Sequence, residues 1–213
     1  MKKTTIIVVD DHKLVREMWR ELFARNADIE VIGESGLFDE AIELIKNKRP
    51  DIVLLDINLS RASGFDAVPL IRKFSPGAKI IAVSMHSQPA YAKKMLQLGA
   101  KAYVTKNSSR NEILMAVKEV MEGRTYVCNE IKDILSDNML LDSVHNPSVN
   151  DLSLREIEIV KLIKNGFSSK EIATELNISV RTAEVHRHNV LKKLQLKNTA
   201  ALINFINNTD LTF

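Results

Sequence analysis

Thr5-Ile6-Ile7-Val8-Val9-Asp10-Asp11 and, further along, Asp51-Ile52-Val53-Leu54-Leu55-Asp56 share one design: a short apolar run, rich in β-branched residues, that stops at a carboxylate. Runs this short and continuous suit strands buried on both faces, as in a parallel sheet. Ile29–Gly33, Lys79–Val83 and Ala102–Val104 are further runs of the same kind. Between and after the runs, apolar residues recur at helical spacing: Val15, Met18, Trp19, Leu22, Phe23; Ala41, Leu44, Ile45; Ala67, Leu70, Ile71; Ala92, Met95, Leu96; and Ile113, Ala116, Val117, Val120. Regular strand–helix alternation predicts right-handed crossovers and a five-stranded, doubly wound parallel sheet, an α/β domain over residues 1–125. In such open sheets ligands bind beyond the carboxyl ends of the strands.

The chain then changes character. Residues 126–142 read as a helical segment, and Asp142–Asn150, with Pro147, as a linker, so that 126–150 joins two domains. Residues 151–213 read as all helix. Ser153-Leu-Arg-Glu156 and Ser168-Ser-Lys-Glu171 match the capping box, in which Ser and Glu satisfy each other's free backbone N–H groups. Ser179 and Asn198 are candidate caps for two more helices, Asn165-Gly166 ends the first, and Asn177 ends the second. Four short helices with a tight turn between the middle two predict a helix-turn-helix domain. The fold class expected is therefore α/β plus all-α.

Composition excludes several classes. With 45% hydrophobic and 27% charged residues, the chain is neither disordered nor collagenous. It contains no apolar run near the ~18 residues of a membrane span. The N-terminal apolar run, Ile6–Val9, ends in two acids and reads as a strand rather than an export signal. The single Cys128 makes no intramolecular disulfide, as suits a reducing cytoplasm. A net charge of +3 decides little, but its distribution does. Arg181, Arg187, Lys192, Lys193 and Lys197 face one acid, Glu184, in the same stretch, whereas Tyr126–Asn150 is acidic.

Asp10, Asp11 and Asp56 fall at the carboxyl ends of the first and third strands, which are neighbours in this winding, so the three carboxylates should converge. Crowded like charges repel unless a cation sits among them, and an all-oxygen site of this kind suits Mg²⁺. Ser84 ends the fourth strand and Lys106 follows the fifth. They place a hydroxyl donor and an ammonium on the same rim for an incoming phosphoryl group. A surface acid at a strand end is common taken singly; Asp-Asp, Asp, Ser and Lys in order at successive carboxyl ends is not.

On a helical wheel from Ser179 to Leu194, Ala183, Val190 and Leu194 share one side. Arg181, Glu184, Val185, His188 and Lys192 share the other. With the apolar stripe against the core, the second group faces outward. A surface valine among polar residues can meet a thymine methyl in the major groove. Arg187, Lys193 and Lys197 flank it, within reach of phosphates. Basic amphipathic helices are more often simply solvated, so the helix alone does not settle the matter. In the last helix, Asn198 to Asn207, a stripe of Thr199, Leu202, Ile203 and Ile206 is expected to leave a remainder exposed for pairing about a two-fold axis. Trp19 and the methionines read as packing, and no metal-ligand spacing of Cys and His suggests zinc.

The residues now carry a resemblance. Val9-Asp10-Asp11, Leu55-Asp56-Ile-Asn58, Gly64, Val83-Ser84 and Gly99-Ala-Lys-Ala-Tyr103-Val-Thr-Lys106 resemble the receiver domain of bacterial two-component response regulators. Leu152-Ser-Leu-Arg-Glu156, Gly166-Phe-Ser-Ser-Lys-Glu-Ile172-Ala173, Ser179-Val-Arg-Thr182-Ala-Glu-Val-His186 and Val190-Leu-Lys-Lys-Leu194 resemble the LuxR-type helix-turn-helix. Together they resemble the NarL/FixJ architecture. The resemblance implies that Asp56 is the phosphoacceptor and that Asp11 and the Asn58 main-chain carbonyl hold Mg²⁺ with Asp56, helped by Asp10. It further implies that Ser84 and Lys106 bind phosphoryl oxygens and that Tyr103 is an aromatic switch. With the wheel's outward face and this resemblance together, the expected DNA contacts are Arg181, Thr182, Glu184, Val185, Arg187, His188, Lys192 and Lys193. Leu59-Ser60, Asn107 and Ala183 depart from the usual residues without removing a reacting group. An aspartate-nucleophile phosphatase resembling the haloacid dehalogenase group would need an acid where Asn58 stands, and an amide is no general acid. An interaction module without the switch would have no reason to fill every reactive position. The expected protein is a cytoplasmic, non-enzymatic transcription regulator. Its expected partners are a sensor histidine kinase, double-stranded DNA and a second copy of itself when phosphorylated or on DNA, with RNA polymerase a further candidate and no membrane.

Overall fold

Each β-branched run folds as a strand. In the computed structural model, which describes residues 3–59, 62–140 and 149–208, the elements run β1 (Thr4–Val9), α1 (Lys13–Ala24), β2 (Ile29–Ser35), α2 (Phe38–Lys48), β3 (Ile52–Asp56), β4 (Asn58–Leu59), β5 (Ala62–Ser63), α3 (Gly64–Phe74), β6 (Lys79–Ser84), α4 (Pro89–Leu98), β7 (Ala102–Thr105), α5 (Arg110–Met121), β8 (Tyr126–Val127) and α6 (Asn129–Leu140). After a 3₁₀ turn at Val149–Asp151 come α7 (Leu154–Lys164), α8 (Ser169–Glu175), α9 (Val180–Lys193) and α10 (Thr199–Asn208). Most of the segment read as a linker lies outside the described residues. The chain divides into two compact units, one reaching to Leu135 apart from residues 88–90, the other comprising the rest.

In the first unit the sheet order is β2-β1-β3-β6-β7-β8, every pairing parallel. Among the described residues the sheet has six strands where five are expected from sequence. The extra strand, β8, is a two-residue edge (Ala102↔Tyr126, Tyr103↔Val127), too short to show any period. β4 and β5 form a separate antiparallel pair, Asn58↔Ser63 and Leu59↔Ala62. The central strands β3, β6 and β7 are almost wholly buried, which is why they read as continuous apolar runs. Helical stripes cover both faces: Trp19 and Phe23 from α1, Ala41 and Ile45 from α2, and Ile113, Ala116, Val117 and Val120 from α5. The methionines divide. Met95 is fully buried, but Met18, Met85 and Met115 are exposed, so the packing reading holds for only part of the set.

Because β1 and β3 are paired in register (Val9↔Leu55), their carboxyl ends lie side by side. Gly64 closes the loop after β3. Its N–H donates to the Ile57 carbonyl at 2.8 Å, and a Cβ built on it would stand 2.6 Å from the Asp56 carbonyl oxygen and 2.7 Å from Ile57 Cα. Those neighbours are backbone and cannot swing aside.

In the second unit both capping boxes form, at Ser153/Glu156 and Ser168/Glu171. Ser179 Oγ accepts from Thr182 N–H, and Asn198 Oδ1 from Ala201 N–H. Asn177, at φ 50°, and Gly166, at φ 86°, take the left-handed conformation that ends α8 and α7. The core draws on Ile157, Val160 and Ile163 of α7, Ile172 of α8, Ala183 and Val190 of α9, and Leu202 and Ile206 of α10. Thus Leu202 and Ile206 of the α10 stripe are spent on their own domain, while Thr199 and Ile203 stay partly exposed. Glu156 does double service: Oε2 accepts from Ser153 N–H at 2.8 Å and from Lys193 Nζ at 2.7 Å, pinning the start of α7 to the end of α9.

Two outcomes follow from these contacts. Gly64→Ala should destabilise the first unit by about 1–3 kcal/mol, the usual cost of overpacking, measured by urea denaturation. Lys193→Ala leaves a nearly buried carboxylate short of its cation. Burial pushes the Glu156 carboxyl up, but the Lys193 ammonium and the Ser153 donors outweigh it and hold the group below its ordinary value of 4.5. A group held low contributes stability above its unfolded pKa and loses it as pH falls through the folded value. Lys193→Ala should therefore cost about 1–2 kcal/mol at pH 7, solvent at the half-exposed ammonium limiting the loss. The deficit should fade in parallel denaturation curves as pH falls from 4.5 through the lowered folded value.

Candidate functional site

The carboxyl rim of the sheet gathers the predicted acids. Asp10, just past β1, and Asp56, the last residue of β3, are 2% and 1% exposed. Lys106, one residue beyond β7, reaches between them, its Nζ 2.7 Å from Asp56 Oδ2 and 2.8 Å from Asp10 Oδ2. The other Asp56 oxygen, Oδ1, accepts from Asn58 N–H at 3.1 Å. Asp56 is registered against Val83, which brings the fully buried Ser84 to the same edge. Burial pushes the Asp56 carboxyl above its ordinary value despite the bonds from Lys106 and Asn58. Burial opposes the Lys106 ammonium, yet the Asp10 and Asp56 carboxylates hold its pKa above the ordinary value.

Asp10, Asp11, His12 and Asp56 each offer a ligand atom, all within 4.8 Å of one another. Three carboxylates against one ammonium leave an excess of negative charge, and Asp11 Oδ1 is buried without a hydrogen-bond partner. An oxygen-rich, net-anionic cluster of this kind fits a hard divalent cation such as Mg²⁺.

Sequence reading missed two neighbours of the site. His12, the residue before α1, joins the acid cluster, and only its adjacency to Asp-Asp hinted at this. His86, two residues past β6, is a junction. Its N–H donates to Ser84 Oγ (3.0 Å), its carbonyl accepts from Tyr103 Oη (2.7 Å), and its Nε2 lies 3.1 Å from Asn58 Nδ2. A histidine beyond a strand end carries no pattern that would reveal this. Tyr103 itself is fully buried, and burial raises its phenol pKa.

On α9 the wheel divides as expected. Ala183, Val190 and Leu194 are buried, and Arg181, Thr182, Glu184, Val185, His188 and Lys192 are exposed, Val185 at 51%. Two of the expected phosphate contacts also have partners within the domain. Arg187 is partly buried and forks inward, to Ser169 Oγ at 3.0 Å and Thr199 Oγ1 at 3.1 Å. Lys193 is engaged by Glu156. Both hold α9 in place within the domain, because each lies at the border between stripe and outer face, where a long cation finds partners on adjacent helices.

The raised pKa of Asp56 has a measurable consequence. A carboxyl held above its unfolded value costs the folded state stability wherever it is ionised. The cost disappears once both states are protonated. In EDTA, Asp56→Asn should melt higher than the wild type at pH 7, and the gain should vanish as pH falls through the interval between the raised pKa and 3.8. A gain that instead grew on acidification would contradict burial as the main cause.

Residues 6–118 match the model of the response regulator receiver domain, and residues 150–206 that of the bacterial regulatory proteins of the luxR family. The transcriptional regulatory protein MctR of Rhizobium johnstonii is 35% identical, over 95% of this chain and 92% of that protein. The oxygen regulatory protein NreC of Staphylococcus epidermidis is 32% identical, over 94% and 95%. Among solved structures, RcsB of Salmonella enterica serovar Typhimurium bound to promoter rprA shares the fold, with a TM-score of 0.70 and 21% identity over 98% of this chain and 100% of that one. With a receiver segment covering more than half of its length, a luxR-family segment after it and full-length relatives of the same kind, the chain belongs to the NarL/FixJ-type response regulators, two-component proteins with a receiver and a LuxR-type DNA-binding domain.

Proposed function

We propose that Asp56 accepts a phosphoryl group and that α9 reads DNA, the first event controlling the second. The observation that carries this reading is the buried Asp56 carboxylate at a strand end, with Lys106 2.7 Å away and Ser84 on the same rim. The donor is a sensor histidine kinase: the N–P bond of its phosphorylated imidazole breaks as the bond from an Asp56 carboxylate oxygen to phosphorus forms. Lys106 and the Ser84 hydroxyl meet the added negative charge. Asp10, Asp11, Asp56 and the Asn58 carbonyl would hold Mg²⁺, which supplies charge neutralisation for the entering group. The link from site to switch is short, since Ser84 and Tyr103 both bond the backbone of His86. A phosphoryl group that draws Ser84 toward itself shifts the same residue that anchors Tyr103.

Residues 1–125 serve as the receiver, 126–150 as the joint and 151–213 as the DNA-binding domain. In the last, Val185 and His188 meet base edges, Glu184 discriminates by accepting from cytosine or repelling phosphate, and Arg181, Thr182 and Lys192 contact bases or backbone. The protein works as a cytoplasmic switch rather than by substrate turnover. It pairs with a second copy when phosphorylated or on DNA, and RNA polymerase is a further partner. A few kcal/mol of bias is enough for such a switch.

Two measurements test the reading. Incubated with Mg²⁺ and a phosphodonor, the wild type should gain one stoichiometric phosphate and Asp56→Asn none; persistent labelling of the variant would place the acceptor elsewhere. In selection from random duplexes, Val185→Ala should change the preferred base at one position, by about 1–3 kcal/mol. An unchanged preference would mean that Val185 does not read bases.

A further inference from the structure

His12 occupies the position before α1 where a Ser, Thr, Asp or Asn would cap the helix, yet its side chain makes no capping bond. The backbone there is fully employed without it: the His12 N–H donates to Asp10 Oδ1 at 2.9 Å, and its carbonyl accepts from Val15 and Arg16 N–H. The imidazole turns instead toward the acid cluster. Its Nδ1 stands 2.7 Å from Asp11 Oδ1 and 3.2 Å from Asp10 Oδ1. Both are ion-pair distances, and the same Nδ1 lies with the ligand oxygens of Asp10, Asp11 and Asp56 in one group whose atoms are all within 4.8 Å of one another, so a cation entering the group would replace the carboxylates as the partner of the imidazole nitrogen. The ring's remaining surface is largely in solvent, with the side chain 64% exposed. It therefore sits at the mouth of the cluster, where a last ligand can close on an ion without rearranging the sheet.

We propose that His12 is a nitrogen ligand of this chain's divalent-cation site and biases it toward borderline ions such as Mn²⁺ and Co²⁺ over Mg²⁺. This rests on the reading, made above, that Asp10, Asp11 and Asp56 hold a cation. Carboxylates alone suit hard ions. A neutral imidazole adds little for Mg²⁺, which keeps waters in preference, but binds first-row transition ions well. The bias belongs to position 12 and not to the acids, so it can be removed separately.

The test uses the full chain freed of metal, titrated with Mg²⁺ alone and with Mn²⁺ alone, as wild type, His12→Ala and Asp11→Asn. His12→Ala should weaken Mn²⁺ by roughly 10-fold and Mg²⁺ by less than about 2-fold, the order of effect expected when a tuning ligand is lost. Electron spin-echo spectra of bound Mn²⁺ should carry modulation from a directly coordinated nitrogen in the wild type and lose it in His12→Ala. Equal weakening of both ions, no weakening, or absent nitrogen coupling in the wild type overturns the proposal while leaving the carboxylate site intact. If the wild type binds neither ion, or Asp11→Asn binds both as the wild type does, the carboxylate reading falls, and this proposal with it.

Discussion

The Lys106 ammonium, 2.7 Å from Asp56 and 2.8 Å from Asp10, offsets a repulsion that the fold itself creates. A parallel sheet wound in both directions must place the ends of β1 and β3 together, and both ends are acidic. Without a cation between them, two nearly buried carboxylates could not both remain ionised. Lys106 supplies one positive charge, and the negative excess that remains fits a divalent cation. The same burial that makes the cluster costly removes water from it, which strengthens every charge interaction within. The cost of the rim and the strength of its charge interactions have one cause.

The second unit solves a different problem. A domain of about sixty residues buries little apolar surface for its size, and local devices must supplement its core. Two reciprocal capping boxes and the Glu156–Lys193 pair are those devices. Arg187 and Lys193 anchor α9 from its flanks, which leaves its outer face free of structural duty. That division explains how Val185 can stand half in solvent on a helix whose opposite side is closely packed. The packed stripe and the exposed stripe of this one helix have separate side chains.

Much of this was legible in the chain because it is set by local periodicity. Continuous β-branched runs required strands buried on both faces, their alternation with helical stripes required parallel crossovers, and these placed Asp10, Asp56, Ser84 and Lys106 at one edge. Ser-x-x-Glu marked two helix starts because the capping box is a contact between neighbours in sequence. The outward face of α9 followed from the 100° advance per residue alone.

Long-range partnership was not legible. β8 escaped notice because a two-residue edge strand is defined by its hydrogen bonds to β7 and not by any period of its own. The inward turn of Arg187 and Lys193 depended on which hydroxyl or carboxylate stood on the next helix, and a helical wheel holds no information about neighbours. His86 met Asn58 and Tyr103 only when strands distant in sequence came together. The sequence determined which residues lie at the carboxyl rim and which face the core, since the side-chain periods of strand and helix are fixed by backbone geometry. Tertiary structure alone decided which charge each polar group meets, because that depends on distances across the fold that no local period encodes.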